Sequence, residues 1–364
     1  MVDYSAKIKE LEERIASTKY NKKTQAAIGQ YKAQIAKLKE REESRSSGSG
    51  GGQGWEVRKT GDGTVILIGF PSAGKSTLLN TLTGAQSETG AYAFTTLTCI
   101  PGVLQYKHAN IQILDVPGIV KGAASGRGRG REVLASMRSA DLCIVLLDVT
   151  RPQEHDVIVK EIFDTHIRLN QRTPDVKITK TGKDGIKIGA TLPLTKLDHD
   201  TIKSILKEFK INNADVVIRE DISMDQFIDC IEGNKKYMPA ITVFNKKDLV
   251  SPEQLDSLMK KFNASLAISA AKNDGIEELK ELIFTKLDLI RIYLKEPQKP
   301  ADMDEPLIMF RDCTIEDVCS KLHKDFVAKF KFARIWGPSA KFDGQKVMLK
   351  QVLSDGDVLE IHLR

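Results

Sequence analysis

No apolar run among these 364 residues approaches the length needed to cross a membrane. The amino terminus also lacks the apolar centre of a secretory leader. Val2 stands where myristoylation needs glycine, and the closing Ile361-His362-Leu363-Arg364 offers no cysteine for prenylation. A membrane-bound or lipid-anchored signalling protein is therefore not expected. The five cysteines (Cys99, Cys143, Cys230, Cys313, Cys319) are odd in number and show no metal-type pairing. Cys143 sits inside an apolar run and reads as core, which fits a reducing compartment. The six histidines are scattered, with no pair at metal-ligand spacing. Aromatic residues make up only 6%, with two tryptophans, Trp55 and Trp336. Trp336 is expected to fill a core near the carboxyl end. A net charge of +6 is small for the length, but +4 of it lies in residues 1–45. That basic extension suits an anionic partner, RNA rather than DNA, with a solvated helix surface as the plainer alternative.

What is present divides the chain into parts. Ile8, Leu11 and Ile15, then Ile28, Tyr31, Ile35 and Leu38, recur at helical spacing and predict a helical hairpin over 1–45. The stretch 46–54 (SSGSGGGQG within it) is a flexible linker by composition. From Thr64 onward, strand-like apolar runs alternate with helical segments, as in a parallel α/β sheet: Val65–Ile68, Ile111–Leu114, Leu142–Leu147, Ile241–Phe244 and Leu266–Ile268. Asp148 and Asn245 end consecutive runs yet lie 97 positions apart, whereas a βαβ crossover needs roughly thirty residues. An inserted module over 151–235 accounts for the excess, splitting one domain into 55–150 and 236–296. Its contents read as a hairpin turning near Lys180–Gly185, a helix at Thr201–Phe209, a strand at Asp215–Ile218 and a helix at Met224–Ile231. Proline and acid mark a second linker at Pro297–Pro306. The segment 297–364 then reads as a small mixed module with a helix over Ile315–Phe326 and turns at Asp343-Gly344 and Asp355-Gly356.

Four motifs in the split domain carry chemistry. Gly69-Phe70-Pro71-Ser72-Ala73-Gly74-Lys75-Ser76 is G-x-x-x-x-G-K-S, placed after a strand and opening a helix at Thr77. Glycine lets backbone N–H groups close around phosphate oxygens at a helix N-terminus. Lys75 is expected on the β- and γ-phosphates, and Ser76 on Mg²⁺. Asp115-Val116-Pro117-Gly118 ends the next strand; Asp115 can hold Mg²⁺ through a water, and the Gly118 amide can meet the γ-phosphate. Asn245-Lys246-Lys247-Asp248 follows a later strand. A carboxylate there accepts from guanine N1–H and N2–H₂, a donor pair adenine lacks, so Asp248 selects GTP and GDP. Asn245 braces the loops, the Lys246 stem covers the ring, and Ser269-Ala270-Ala271 supplies an amide to O6. Phe94-Thr95-Thr96 lies where a first switch belongs, with one threonine completing the Mg²⁺ shell.

The wording of these segments is more specific than the motifs. GFPSAGKST, FTTLTCIPGV, DVPGIVKGAASGRGRGREV, YMPAITVFNKKD, RIYLKEP and WGPSAKFDGQKV together resemble the developmentally regulated GTP-binding proteins, a branch of the Obg-type translation-factor GTPases. TLTCIPGV and REDISMDQFIDCI look more like the second eukaryotic paralogue than the first. The resemblance spans essentially the whole chain. It implies an α/β fold: a P-loop GTPase domain with an amino-terminal helical hairpin, an inserted α/β module like part of a small-subunit ribosomal protein, and a carboxy-terminal β-grasp domain of the TGS type. It also implies a cytoplasmic protein that associates with the ribosome and its rRNA, and a stabilising partner from the regulatory-protein family that pairs with these GTPases. By the same carry-over Thr96 is the Mg²⁺ ligand, and Lys75, Thr96 and Gly118 position the transition state. Ile119 departs from the glutamine that orients water in Ras-like enzymes, which predicts slow unaided turnover. Some related GTPases bind K⁺ through an asparagine in the phosphate loop; Ser72 occupies that place and leaves potassium dependence open. Arg127, Arg129 and Arg131 read either as a charge supplied in cis or as a basic loop for RNA or a partner. The competing functional reading is an RNA- or ribosome-binding adaptor that keeps GTP as a structural ligand and hardly hydrolyses it.

Overall fold

A computed structural model describes residues 4–47, 61–84, 100–115 and 137–364. The chain opens with α1 (Tyr4–Ser17) and α2 (Lys22–Ser47), followed by β1 (Gly63–Ile68), α3 (Lys75–Thr83), β2 (Ile100–Tyr106), β3 (Ala109–Asp115), β4 (Leu142–Asp148) and α4 (Glu154–Asp164). Then come β5 (Ile167–Leu169), β6 (Val176–Lys180), β7 (Ile186–Ala190), α5 (His199–Glu208), β8 (Ala214–Ile218), α6 (Met224–Glu232) and β9 (Lys236–Met238). The chain continues with β10 (Ala240–Asn245), α7 (Pro252–Lys261), β11 (Leu266–Ala267), α8 (Ile276–Leu287), β12 (Leu289–Leu294) and β13 (Leu307–Phe310). It closes with α9 (Ile315–Leu322), α10 (Phe326–Lys329), β14 (Phe330–Trp336), β15 (Gln345–Val347) and β16 (Val358–Leu363). Two units form: residues 1–54 with 166–237, and 55–165 with 238–364.

The larger unit holds a six-stranded sheet in the order β11-β10-β4-β1-β3-β2. Its central strands β1 (GTVILI) and β4 (LCIVLLD) are buried at every position, the continuous apolar pattern of parallel strands covered on both faces. Cys143 is fully buried there, and burial pushes its thiol up to about 12. Only β2 runs antiparallel, joined to β3 through Lys107-His108 with φ of 47° and 66°. Both central turn residues are left-handed, as a two-residue hairpin requires, but neither is the usual Gly or Asn. Neighbours pin the turn instead: Glu281 on α8 takes Lys107 Nζ at 2.8 Å and Tyr106 Oη at 2.7 Å.

The same unit carries a second sheet, β13-β12-β16-β14-β15, with α9 packed against it through Ile315, Val318 and Cys319. Strand β12 pairs with β13 and β16, so this module starts near 289 and not at 297. The alternation Ile290, Ile292, Leu294 supplies one face of its core. The helix expected to run to Phe326 stops at Leu322. His323 turns extended at φ −161°, and α10 then carries Phe326 and Val327 onto the module's core. Trp336 does not fill that core; it is half-buried, with Lys295 Nζ 4.7 Å from its ring centre.

In the smaller unit α2 lays Ile28 and Ala33 against Ile202 and Ile205 of α5 and Phe227 of α6. Lys32 pairs with Asp225 at 2.7 Å and Lys37 with Glu208 at 3.0 Å, so part of the basic hairpin is spent inside the unit. The expected hairpin of β6 and β7 does not form. Strand β8 lies between them, antiparallel to β6 and parallel to β7, because α5 returns the chain to the gap. Residues 151–165, placed within the expected insertion of 151–235, belong to the larger unit with helix α4, and the smaller unit's second segment starts at His166.

Candidate nucleotide-binding site

The loops that follow β1, β4, β10 and β11, and Asp115 at the end of β3, lie at the carboxyl ends of parallel strands, where open α/β sheets bind ligands. Gly69 to Gly74 connects β1 to α3. Ser72 (φ 67°) and Gly74 (φ 93°) are left-handed, a backbone that turns successive N–H groups inward as an anion nest. Glycine is dictated at two places. A Cβ on Gly69 would lie 2.5 Å from Leu146 O, and one on Gly74 would lie 2.2 Å from Asn245 Nδ2. Phe70, Pro71, Ser72 and Ala73 form the arch; Pro71 and Ser72 are exposed, and Ala73 is buried.

Lys75 opens α3 and is buried at 9% exposure. Its Nζ donates to Gly69 O at 3.0 Å and Phe70 O at 3.2 Å, curling over its own loop. Burial pulls its ammonium below the ordinary lysine value, with Asp115 opposing that shift. Ser76 Oγ donates to Asp115 Oδ2 at 3.1 Å, and Thr77 follows it on the exposed first turn. The second oxygen of Asp115, Oδ1, is buried without a hydrogen-bond partner among the described residues. A hydroxyl beside a carboxylate that has an unspent buried oxygen is a hard-oxygen donor set that fits Mg²⁺.

Asn245 ends β10, directly across from Asp148 on β4, and binds three loops at once. Its Nδ2 donates to Ala73 O at 2.9 Å, and its Oδ1 accepts from Lys246 N at 2.8 Å and Ala270 N at 3.0 Å. The phosphate loop, the N-K-x-D loop and the Ser269–Ala271 loop are thereby held together by one buried side chain. Lys246 is left-handed (φ 64°), and its Nζ donates to Asp148 Oδ2 at 2.6 Å. Burial would raise the Asp148 carboxyl, but bonds from Lys246 and Thr150 outweigh it and hold it below the usual carboxylate range. Asp248 lies on the exposed part of the loop. Ser269 and then Lys272, whose Nζ is 3.1 Å away, hold its carboxyl low. Ser269 N–H and Ala270 N–H are spent on Asp274 O and Asn245 Oδ1.

The structure thus brings together Gly69–Thr77, Asp115, Asn245, Lys246, Asp248 and Ser269–Ala271. Phe94, Thr95, Thr96, Val116, Pro117 and Gly118 lie outside the described residues, as do Ile119, Arg127, Arg129 and Arg131. Sequence reasoning missed Asp148 as the partner of Lys246, and Lys272 as the partner of Asp248. Asp148 carried a signal, since it ends a buried apolar strand; Lys272 carried none. Among the described residues no group of His, Cys, Asp and Glu forms a separate metal cluster.

Comparison with known proteins agrees with this geometry. Residues 64–180 match the family described as 50S ribosome-binding GTPase, 183–289 match the C-terminal region of the MMR_HSR1 domain, and 290–363 match the TGS domain. A GTP-binding protein of Methanocaldococcus jannaschii, described as uncharacterized, is 51% identical over 361 residues, 98% of this chain and 92% of its own. Developmentally-regulated GTP-binding protein 1 of Xenopus laevis is 44% identical over 360 residues, 98% of each chain. Ribosome-interacting GTPase 1 of Saccharomyces cerevisiae is 44% identical over 361 residues, again 98% of each. With these loops gathered at the carboxyl ends of the sheet's strands, and with 44% identity over nearly its full length to a named member, this chain belongs to the developmentally regulated GTP-binding proteins.

Proposed function

We infer that this protein is a GTPase switch that works on the ribosome: it binds GTP with Mg²⁺, hydrolyses it to GDP and phosphate, and changes its switch segments in step. The observation that carries this reading is Asn245, which fixes the phosphate-binding and base-binding loops at one spacing. Lys75 leaves the carbonyls of Gly69 and Phe70 for the β- and γ-phosphates. Ser76 and Asp115 hold the magnesium, which neutralises charge on the phosphate oxygens. Asp248 takes the guanine N1–H and N2–H₂. Ala271 is exposed, and its two neighbours have spent their amides within the protein, so its N–H is the one left for O6. Thr96 and Gly118 complete the γ-phosphate end by family likeness.

The ribosomal setting is supported by the yeast relative's name and by the family match over 64–180. On this reading the protein works in the cytoplasm, with rRNA as a contact and a regulatory-protein partner as a stabiliser. No described helix is long and apolar enough to cross a membrane. Ile119 keeps the adaptor reading in view, because isoleucine cannot orient water. Multiple-turnover phosphate release, with and without K⁺ and ribosomes, separates the two. Turnover abolished by Lys75→Ala supports the switch; no release under any condition supports the adaptor. Asp248→Asn should shift preference from guanosine to xanthosine nucleotides, and an unchanged preference removes Asp248 from the base.

A further inference from the structure

The loops after β10 and β11 are tied to each other by two exchanged ion pairs. Lys247 of the first loop donates to Asp274 Oδ1 of the second at 2.8 Å, and Lys272 of the second stands 3.1 Å from Asp248 Oδ2 of the first. The two ties are unequal. The Lys247 side chain is only 25% exposed, and backbone bonds stand beside it. Lys247 N donates to Ile268 O at 3.0 Å, and Ser269 and Asp274 each donate N–H to the other's carbonyl, at 2.9 and 3.1 Å. The Lys272 side chain is 63% exposed, so its ion pair lies at the surface and the loops do not depend on it. Its starting point is nevertheless fixed. Lys272 N donates to Ser269 O at 3.1 Å in a short 3₁₀ turn, and Asn273 after it is left-handed at φ 56°.

Asp248 is thus approached from two sides. Ser269, at 1% exposure, bonds its carboxyl from within the loop. The Lys272 ammonium covers it from the solvent side, the side from which a base must arrive. Guanine needs one carboxylate oxygen for N1–H and the other for N2–H₂. Oδ2 is therefore claimed twice, by the base and by the ammonium. A competitor tethered to the neighbouring loop acts at an effective concentration on the order of millimolar, whatever the solution holds. Its grip is weak, because exposed ion pairs contribute little. It does not exclude the nucleotide, but it is at hand whenever the base lifts.

We propose that Lys272 is an internal competitor for Asp248 that speeds the release of guanine nucleotides. This deepens the nucleotide site and rests on the reading of Asp248 as the carboxylate that takes the base. The competitor acts at the base end, so it treats GDP and GTP alike. Adenine brings no matching donor pair to the carboxylate, so ATP gains nothing from removal of the ammonium.

The test follows a fluorescent GDP analogue leaving the full chain after mixing with excess unlabelled GDP and Mg²⁺. Lys272→Gln should slow release about two- to fivefold, the factor an exposed ion pair commands. A fluorescent, non-hydrolysable GTP analogue should be slowed by the same factor. Lys272→Arg keeps the charge and should not slow release. Lys260→Gln, an exposed position on α7, removes a charge elsewhere and should leave the parent rate. Parent and Lys272→Gln should converge near about 1 M salt, where the screening length falls to about 3 Å. With Asp248→Asn the carboxylate is gone, so adding Lys272→Gln should not slow release of xanthosine diphosphate. A change below about twofold, or faster release, overturns the proposal. So does equal slowing by Lys272→Arg or Lys260→Gln, slowing of GDP without the GTP analogue, or slowing that persists with xanthosine diphosphate. The base reading fails differently. If Asp248→Asn keeps its preference for guanosine nucleotides, that reading falls and takes the competitor with it. If preference shifts to xanthosine while Lys272→Gln releases GDP at the parent rate, the competitor alone falls.

Discussion

Replacing Asn245 by alanine tests the device on which the nucleotide site depends. The side chain makes three hydrogen bonds, to Ala73 O, Lys246 N and Ala270 N, at 2.9, 2.8 and 3.0 Å. Lys246 is half-buried, so water can replace its bond. Ala73 and Ala270 are at 1% and 4% exposure, and their carbonyl and amide would be left without partners. Each buried orphan costs about 1–3 kcal/mol, which puts the loss at about 2–6 kcal/mol out of a typical 5–15. The phosphate loop and base loop would also lose their fixed spacing, so affinity for GTP should fall further than the loss of any single contact explains. The assay is urea unfolding read by tryptophan emission in a Trp55→Phe background, where Trp336 alone emits and reports the larger unit, beside titration of a fluorescent GTP analogue. A stability loss below about 1 kcal/mol, or unchanged GTP affinity, would refute the view that Asn245 couples the loops.

Gly74→Ala puts a methyl 2.2 Å from Asn245 Nδ2, while Gly84→Ala meets no described atom within 4 Å at a comparable φ (93° and 73°); GTP titration should show binding lost in the first and kept in the second. Lys246→Ala removes the partner that holds Asp148 low. The Asp148 carboxylate contributes stability above its ordinary value of 3.8 and loses it as pH falls below that. Parent and variant should therefore differ by about 1 kcal/mol at neutral pH, Lys246 being partly exposed, and converge in acid, as checked by urea midpoints from pH 7 to 3. Cys143, pushed up to about 12, and Cys230 and Cys313, each to about 11, hold almost no thiolate at pH 8. Iodoacetamide followed by mass spectrometry should label these three slowly in the native protein and rapidly in urea.

Much of the larger unit was legible because its strands are buried on both faces. GTVILI and LCIVLLD are continuous apolar runs, and each catalytically interesting loop follows such a run. What was missed has physical causes. Strand β2 escaped because its turn, Lys107-His108, lacks the glycine or asparagine that marks a tight hairpin; Glu281, from a distant helix, supplies the constraint instead. The supposed hairpin of β6 and β7 failed because strand pairing is decided by where α5 returns the chain, which local turn residues do not encode. The start of the terminal module was set too late because Pro297–Pro306 looked like the boundary, whereas the strand alternation begins at Leu289, before the prolines.

In the nucleotide site, each group that would grip the ligand already has a substitute inside the protein. Lys75 holds two carbonyls of its own loop, Ser76 holds Asp115, and Asp248 holds Ser269 and Lys272. Binding is therefore an exchange of hydrogen bonds, and the net gain is smaller than the sum of new contacts. Two features resist this cancellation. Asp115 Oδ1 is buried and unpaired among the described residues, so a cation meeting it gains without displacing anything. Among the described residues, Lys75 is buried beside two carbonyls of its own loop and the Asp115 carboxylate, so an arriving triphosphate would relieve a desolvated charge. On the proposed function, magnesium and the phosphate end of the nucleotide would thus supply most of the affinity, while Asp248, exchanging one ion pair for two hydrogen bonds at the surface, would decide which base is accepted.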